Sequence, residues 1–304
     1  MSDSTTRTRF IQLLLVAAGL FTMAVGGAVA GLGSASVSTV TMTPPPTTTT
    51  DASASLVTTS TAPPPRRVTD PASLVIDVER QIAAFPSTTC VAVDLDRAPL
   101  VRHRAGDPLI PASTMKMATA TAAIEVFGAP AVVDRTDAML AESANEIADA
   151  LAAELSEHRG GPATPAAGAQ ATMEVLTELG IPLDGVSLVD GSGLSRHSRF
   201  TCEALVAIVN LDLGGALVPG LATAGLTGTL AERMVGTVAE GRVRAKTGSL
   251  PGVAGLAGVV DTDGGRITFA AITNGVSNRM RGEALLDALA VRLAVGPDER
   301  WEPA

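Results

Sequence analysis

Apolar residues recur along this chain with two periods, and the switches between them outline its elements. Over residues 72–84, Leu74, Ile76, Val78 and Ile82 supply the apolar positions of a helix. Thr88 to Leu95 reads as a strand and Leu100 to His103 as its hairpin partner. Pro111-Ala112-Ser113 opens a long helix that runs to about Phe127, and a second helix spans Val132 to His158. A Gly/Ala/Pro loop over 160–168 leads into a third helix, 169–179, which stops at Gly180. Thr201 to Leu213 is another helix. Three strand-like segments follow, Val243 to Thr247, Val253 to Val260 and Ile267 to Thr273, the last two joined by a turn containing Asp263-Gly264-Gly265. Arg279 to Leu293 reads as a closing helix. Strands from both ends therefore surround a central helical block. The expected class is α+β: an antiparallel sheet of about five strands flanked by helices, with a helical subdomain.

The first 70 residues do not fit that pattern. Arg7 and Arg9 precede an apolar run from Phe10 to about Leu32, the layout of a secretory signal, and Ala28-Val29-Ala30 could be its cleavage site. Uncut, the run is long enough to span a bilayer. Residues 1–33 are thus expected to be a signal peptide or membrane anchor, and either reading exports the rest. Residues 34–70 are rich in Thr, Ser, Ala and Pro, a composition expected to form an extended, disordered spacer. The folded domain is expected over 71–304, with membrane contact only through the N-terminal segment.

Charge narrows the function classes. The net charge is −9 and aromatic residues make up 2%, so nothing here provides an electrostatic footprint for nucleic acid. The histidines, His103, His158 and His197, are scattered and no Cys/His cluster has zinc spacing, so no metal and no cofactor is expected. Cys90 and Cys202 fall in separate elements. Outside the cell they could pair, but their spacing leaves two buried thiols as the other reading.

Candidate chemistry begins at Ser113-Thr114-Met115-Lys116, which puts a hydroxyl and an amine at i and i+3 on one helix face. A serine needs a nearby base to attack a carbonyl. Lysine serves only when neutral, which requires its pKa to fall by roughly three units, about 4 kcal/mol. Arginine cannot do this. The chain otherwise uses arginine; its two lysines are Lys116 and Lys246. Lys246 opens Lys246-Thr247-Gly248 on a predicted strand. It offers a cation for a substrate carboxylate, a hydroxyl, and a glycine that lets a peptide lie close to the strand edge. Between the two lysines lies Ser143-Ala144-Asn145, with a hydroxyl able to relay protons and an amide able to hold a lysine or a carbonyl.

Ser-x-x-Lys, Ser-x-Asn and Lys-Thr-Gly in that order form the triple set of penicillin-binding proteins and class A β-lactamases. The longer segments 112–117, 139–145, 190–196, 228–230 and 243–250 resemble class C low-molecular-mass penicillin-binding proteins, the D-Ala-D-Ala carboxypeptidase/endopeptidase family. The resemblance implies the penicillin-binding protein/serine β-lactamase-like transpeptidase fold, and it implies roles. Ser113 would be acylated, with Lys116 as its base, and Ser143 would pass the proton to the leaving amine. Asn145 would hold the substrate backbone. Lys246, Thr247 and Gly248 would receive the substrate's C-terminal end, and Lys246 would help depress the pKa of Lys116. The backbone N–H groups of Ser113 and Ser249 would form the oxyanion hole. Substrates would be peptidoglycan peptides, and β-lactams would be covalent inhibitors. Asp190 and its glycines would shape a turn near the site.

The sequence departs from the family in two places. Only 30 positions separate Ser113 from Ser143, an interval that is much longer in the family, so the helical subdomain is expected to be reduced. Ala144 stands where an Asp is common. Two alternatives stay open beside an active carboxypeptidase or endopeptidase: a shortened, weakly catalytic relative that binds wall peptides, and a β-lactamase. The latter would need a Glu base, and Glu154, Glu157 and Glu174 follow Asn145 only in helix-like contexts.

Overall fold

The structure, a computed structural model, describes residues 66–212 and 215–302. The expected signal or anchor segment and residues 34–65 of the expected spacer lie outside the described residues. Among the described residues no helix is long and apolar enough to cross a membrane.

Strands β2 (Thr89–Leu95), β3 (Ala98–His103), β4 (Ala222–Thr223), β5 (Val243–Leu250), β6 (Val253–Thr262) and β7 (Gly265–Asn274) form one antiparallel sheet in the order β3-β2-β7-β6-β5-β4. The five expected strands are all present. The sixth, β4, has two residues, too few to leave a period-2 signal. The central strands are buried on both faces. On β2, Cys90 and Ala92 face one core while Val91 and Val93 face the other. Such strands read as continuous apolar runs.

One face is covered by α1 (Pro71–Ile82) and α7 (Arg279–Val295), through Leu74, Val78, Leu286, Leu289 and Leu293. Asp70 caps α1 by accepting from the Ala72 N–H, and Pro71 sits where its missing N–H costs nothing. The other face carries α2 (Lys116–Phe127) and α6 (Cys202–Leu211). Every residue of α2 from Lys116 to Ile124 is buried, so it is a central helix rather than an amphipathic one. α3 (Ala129–Glu142), α4 (Asn145–His158) and α5 (Pro165–Glu178) complete the helical block.

Three expectations need correction, and one alternative left open is decided. The helix expected over Val132–His158 is two helices, because Ser143 takes left-handed backbone angles (φ 62°, ψ 33°) and Ala144 is extended. The helix expected from Ser113 begins as a single 3-10 turn, Ala112–Met115, before α2. Strand β1 (Arg66–Asp70) falls inside the stretch expected to be spacer and pairs antiparallel with β8 (Asp298–Glu302). That ladder joins segments more than 220 positions apart, so no local pattern announces it. Finally, Cys90 and Cys202 are disulfide-bonded, linking β2 to the first turn of α6. The closeness of those elements is tertiary and unreadable from spacing.

Candidate active site

The nucleophile turn is held from both sides. Ala112 adopts φ 49°, a left-handed conformation that costs an alanine about 1 kcal/mol. The Thr114 hydroxyl bonds the Pro111 carbonyl at 2.7 Å and fixes the turn. Gly248 and Gly255 let the sheet approach it: a Cβ on Gly248 would lie 2.8 Å from the Pro111 oxygen, and one on Gly255 2.8 Å from Thr114 Cγ2. This revises the expected role of Gly248. The backbone that approaches it is the chain's own nucleophile turn. Ser113 remains half-buried, open toward solvent.

Lys116 is fully buried, and its Nζ touches three oxygens: Ser113 Oγ at 2.9 Å, Asn145 Oδ1 at 2.7 Å and the Ser192 carbonyl at 2.6 Å. Two of these can only accept. A neutral amine has two N–H bonds and one lone pair. With Asn145 and Ser192 taking the two N–H bonds, the lone pair faces the Ser113 hydroxyl. The arrangement is that of a base aimed at a nucleophile.

Asn145 opens α4 and reaches Lys116 directly, so here its amide oxygen serves the base. Ser143, at the break before it, is half-buried, and its hydroxyl bonds no other described residue. The break leaves room for this arrangement: Gly228 crowds the end of α3, where a Cβ would come within 2.3 Å of the Ala141 carbonyl.

On β5, Lys246 is fully buried, and its Nζ has one hydrogen bond, to the Thr247 carbonyl at 3.2 Å. The Thr247 hydroxyl donates to Thr229 Oγ1 at 2.9 Å. β4 pairs only with Arg244 and Ala245, so beyond them one edge of β5 has no strand neighbour among the described residues. The Val243 carbonyl accepts from Ala224 on that side. Alternation along an antiparallel strand then turns the backbone groups of Thr247 and Ser249 toward the same open edge. That is the orientation an oxyanion donor at Ser249 requires, and a free edge for a peptide to extend.

Both lysines are held below their ordinary range. Burial lowers Lys116 to about 8, opposed by the carboxylates of Asp149, Asp190 and Glu146. Lys246 is lowered to about 7, first by burial and then by the charge of Lys116, against a weaker pull from Glu142. Lys246 was expected to help depress Lys116. Burial comes first at both residues, and the repulsion between the two ammoniums is mutual.

Several contributors carry no sequence pattern of their own. Ser192 acts through its carbonyl, which any residue has. Asp190 holds its loop by accepting from the N–H groups of Gly193 and Ser195, each at 2.7 Å. Gly193 (φ 83°) is required, because a Cβ there would sit 2.1 Å from the Ala112 oxygen. The expected turn at Asp190 is therefore present, and it presses on the nucleophile segment. Asp149 went unread, and Thr229 was read only as part of segment 228–230, without a role. Among the described residues no group of His, Cys, Asp and Glu side chains is arranged to hold a metal ion.

Residues 79–134 and 129–294 match the D-Ala-D-Ala carboxypeptidase 3 (S13) family. The two matched stretches overlap over residues 129–134, the first turns of α3, inside the short interval between Ser113 and Ser143. Carboxypeptidase DacB of Mycolicibacterium smegmatis is 39% identical over 184 residues, which is 57% of this chain and 39% of that protein. The D-alanyl-D-alanine carboxypeptidase of an Actinomadura species is 36% identical over 184 residues, 55% of this chain and 34% of that protein. The chain thus spans less than two-fifths of the length of these relatives. A class A β-lactamase from Bacteroides cellulosilyticus superposes with a TM-score of 0.59 at 15% identity, covering 74% of this chain and 97% of that one. At that identity the likeness concerns the fold.

Proposed function

The chain belongs to the D-Ala-D-Ala carboxypeptidase 3 (S13) family, and from that premise we propose that it is a serine-type D-Ala-D-Ala carboxypeptidase or endopeptidase acting on peptidoglycan stem peptides through an acyl-enzyme on Ser113. The observation that carries the proposal is the buried Lys116 amine, bonded to two acceptor-only oxygens and to Ser113 Oγ at 2.9 Å. Lys116 takes the Ser113 proton as Oγ attacks the penultimate D-alanine carbonyl. The backbone N–H groups of Ser113 and Ser249 receive the oxyanion. Ser143 passes the proton to the departing D-alanine amine. Lys246 and Thr247 hold the terminal carboxylate, and water releases the acyl group. β-Lactams acylate the same serine and are released slowly.

The proposal includes location: the domain works outside the cytoplasmic membrane, where its substrate lies. The Cys90–Cys202 disulfide supports this, because such bonds persist in oxidising compartments. A second reading, a weakly catalytic relative that binds wall peptides, is favoured by one observation: a single residue, Gly128, joins α2 to α3 where the family carries a long interval. Two of the carboxylates near Lys116 count against a β-lactamase reading. Asp190 accepts two loop N–H groups and Asp149 accepts from Gly191, so neither is a free base for deacylation.

Incubating the full-length protein with a fluorescent penicillin tests these readings. A lasting covalent adduct that Ser113→Ala abolishes, with D-alanine released from a pentapeptide, is the expected result. An adduct without D-alanine release would favour the wall-binding reading. Hydrolysis of the adduct within about a second, a turnover typical of enzymes, would favour a β-lactamase. No adduct on folded protein would overturn the enzyme.

A further inference from the structure

Lys116 depends on two acceptors to aim its lone pair, and α4 supplies one and holds the other in place. Asn145 is one, directly. The other, the Ser192 carbonyl, lies on the loop that follows Asp190, and that loop is bonded to the residue one turn beyond Asn145: Asp149 Oδ1 accepts from the Gly191 N–H at 3.1 Å. The loop is pressed flat on α4 at this point. A Cβ on Gly191 would lie 2.6 Å from the Ala148 oxygen and 2.7 Å from Ala152 Cβ. On its other side the Gly191 carbonyl accepts from the Thr119 hydroxyl of α2 at 2.8 Å. The peptide that presents the Ser192 carbonyl to Lys116 is therefore pinned through Gly191 by one side chain from each helix.

We propose that Asp149 is a positioning residue of the acylation step: it docks the 190–195 loop on α4 so that the Ser192 carbonyl engages one N–H of Lys116 and the amine lone pair stays on Ser113. This deepens the reading of Ser113 and Lys116 as nucleophile and base, and rests on it. Asp149 acts on Lys116 in a second way, as a charge. The groups facing Lys116 are Asp149 and Glu146 from α4, Asp190 from the loop and Lys246 from β5, with Glu142 at the end of α3 acting on Lys246. Among the carboxylates opposing the burial of Lys116, Asp149 contributes most. Docking and charge are separable, because asparagine keeps an oxygen acceptor and loses only the charge.

The test is the second-order rate of acylation by a fluorescent penicillin as a function of pH, measured on the full chain and on Asp149→Asn and Asp149→Ala, with the melting temperature of each. Asp149→Asn is expected to keep the plateau rate and to move the acid limb to lower pH, since Lys116 loses its proton more readily without the neighbouring charge. Asp149→Ala is expected to move the limb likewise and to lower the plateau roughly 10- to 100-fold, the scale of a misplacement of about 1 Å. A purely packing role would lower the melting temperature and leave the limb in place. If the alanine variant does not fold, the limb of the asparagine variant decides alone. A wild-type adduct combined with an unmoved limb in Asp149→Asn overturns this inference and leaves the nucleophile assignment standing. No wild-type adduct overturns both.

Discussion

A lysine that serves as a base has to surrender a proton before the reaction begins, and two buried lysines side by side make that easier for each other. Lys246, at about 7, gives up its proton before Lys116, at about 8, so the base becomes available as pH passes through the Lys116 window. Acylation should therefore rise with pH through about 8, as Lys116 becomes neutral. A rate flat from pH 6 to 10 would contradict this. Lys116→Arg fills similar space but stays protonated, so its acylation rate should drop by about 100-fold to 10,000-fold. Lys246, with a single hydrogen bond at 3.2 Å, is held at a cost to stability. Lys246→Met should raise stability at neutral pH by roughly 1–4 kcal/mol, read from denaturant titration, while impairing capture of carboxylate-bearing β-lactams. The linkage has a definite sign. The folded-state value is about 7, below the ordinary value of 10.5, so the unfolded chain binds more protons across that window. The wild type should gain stability over it as pH rises, and Lys246→Met should lose part of that dependence, Lys116 supplying the rest. These residues were legible because a chain of arginines spends its two lysines here. Ser192 was not, because its contribution comes from its carbonyl.

Among the elements, the break between α3 and α4 was the least legible and is the most consequential. Ser, Ala and Asn are tolerated in helices, and neither Gly nor Pro marks the spot, so a continuous helix was the natural reading. The break comes from tertiary crowding by the Gly228 turn and from the contact of Asn145 with Lys116. Because Ser143 is left-handed, substitutions there separate backbone strain from hydroxyl chemistry. Ser143→Gly should be more stable than Ser143→Ala by about 1 kcal/mol. Both should release D-alanine more slowly than the wild type, by about 100-fold. Equal stability of the two variants would count against the strain, and unchanged turnover against the relay. Gly248→Ala drives a methyl group into the Pro111 carbonyl and should lower acylation without touching any side chain of the site. The strands were read well because β5, β6 and β7 follow one another with short turns, so local pattern and tertiary pairing agree.

At the scale of the molecule, a disulfide inside the core on the α2/α6 face of the sheet ties β2 to α6, and its halves were legible only as two cysteines that could pair. It closes a loop of 112 residues. Removing it with Cys90→Ala/Cys202→Ala should cost about 4–5 kcal/mol by loop-closure entropy, seen as a fall in melting temperature with the fluorescent-penicillin adduct retained at low temperature. The order of elements and the sheet were legible. The β1–β8 ladder was not, since the residues that pair share no local signal. The turn at Gly128, with φ 80° and the exposed Ala131 beside it, has a consequence of its own. Val132, Met139 and Leu140 of α3 still reach the main core with nothing added between α2 and α3. The fold therefore closes around the shortest connection, and anything placed there hangs outside the cooperative unit. Because the entropy of closing a loop grows only with the logarithm of its length, a whole guest domain spliced in at Gly128 should be carried at a penalty of about 2–3 kcal/mol. That position is a socket: new recognition surfaces can be plugged into it, at the far end of α2 from Lys116, without rewriting the residues that perform the chemistry.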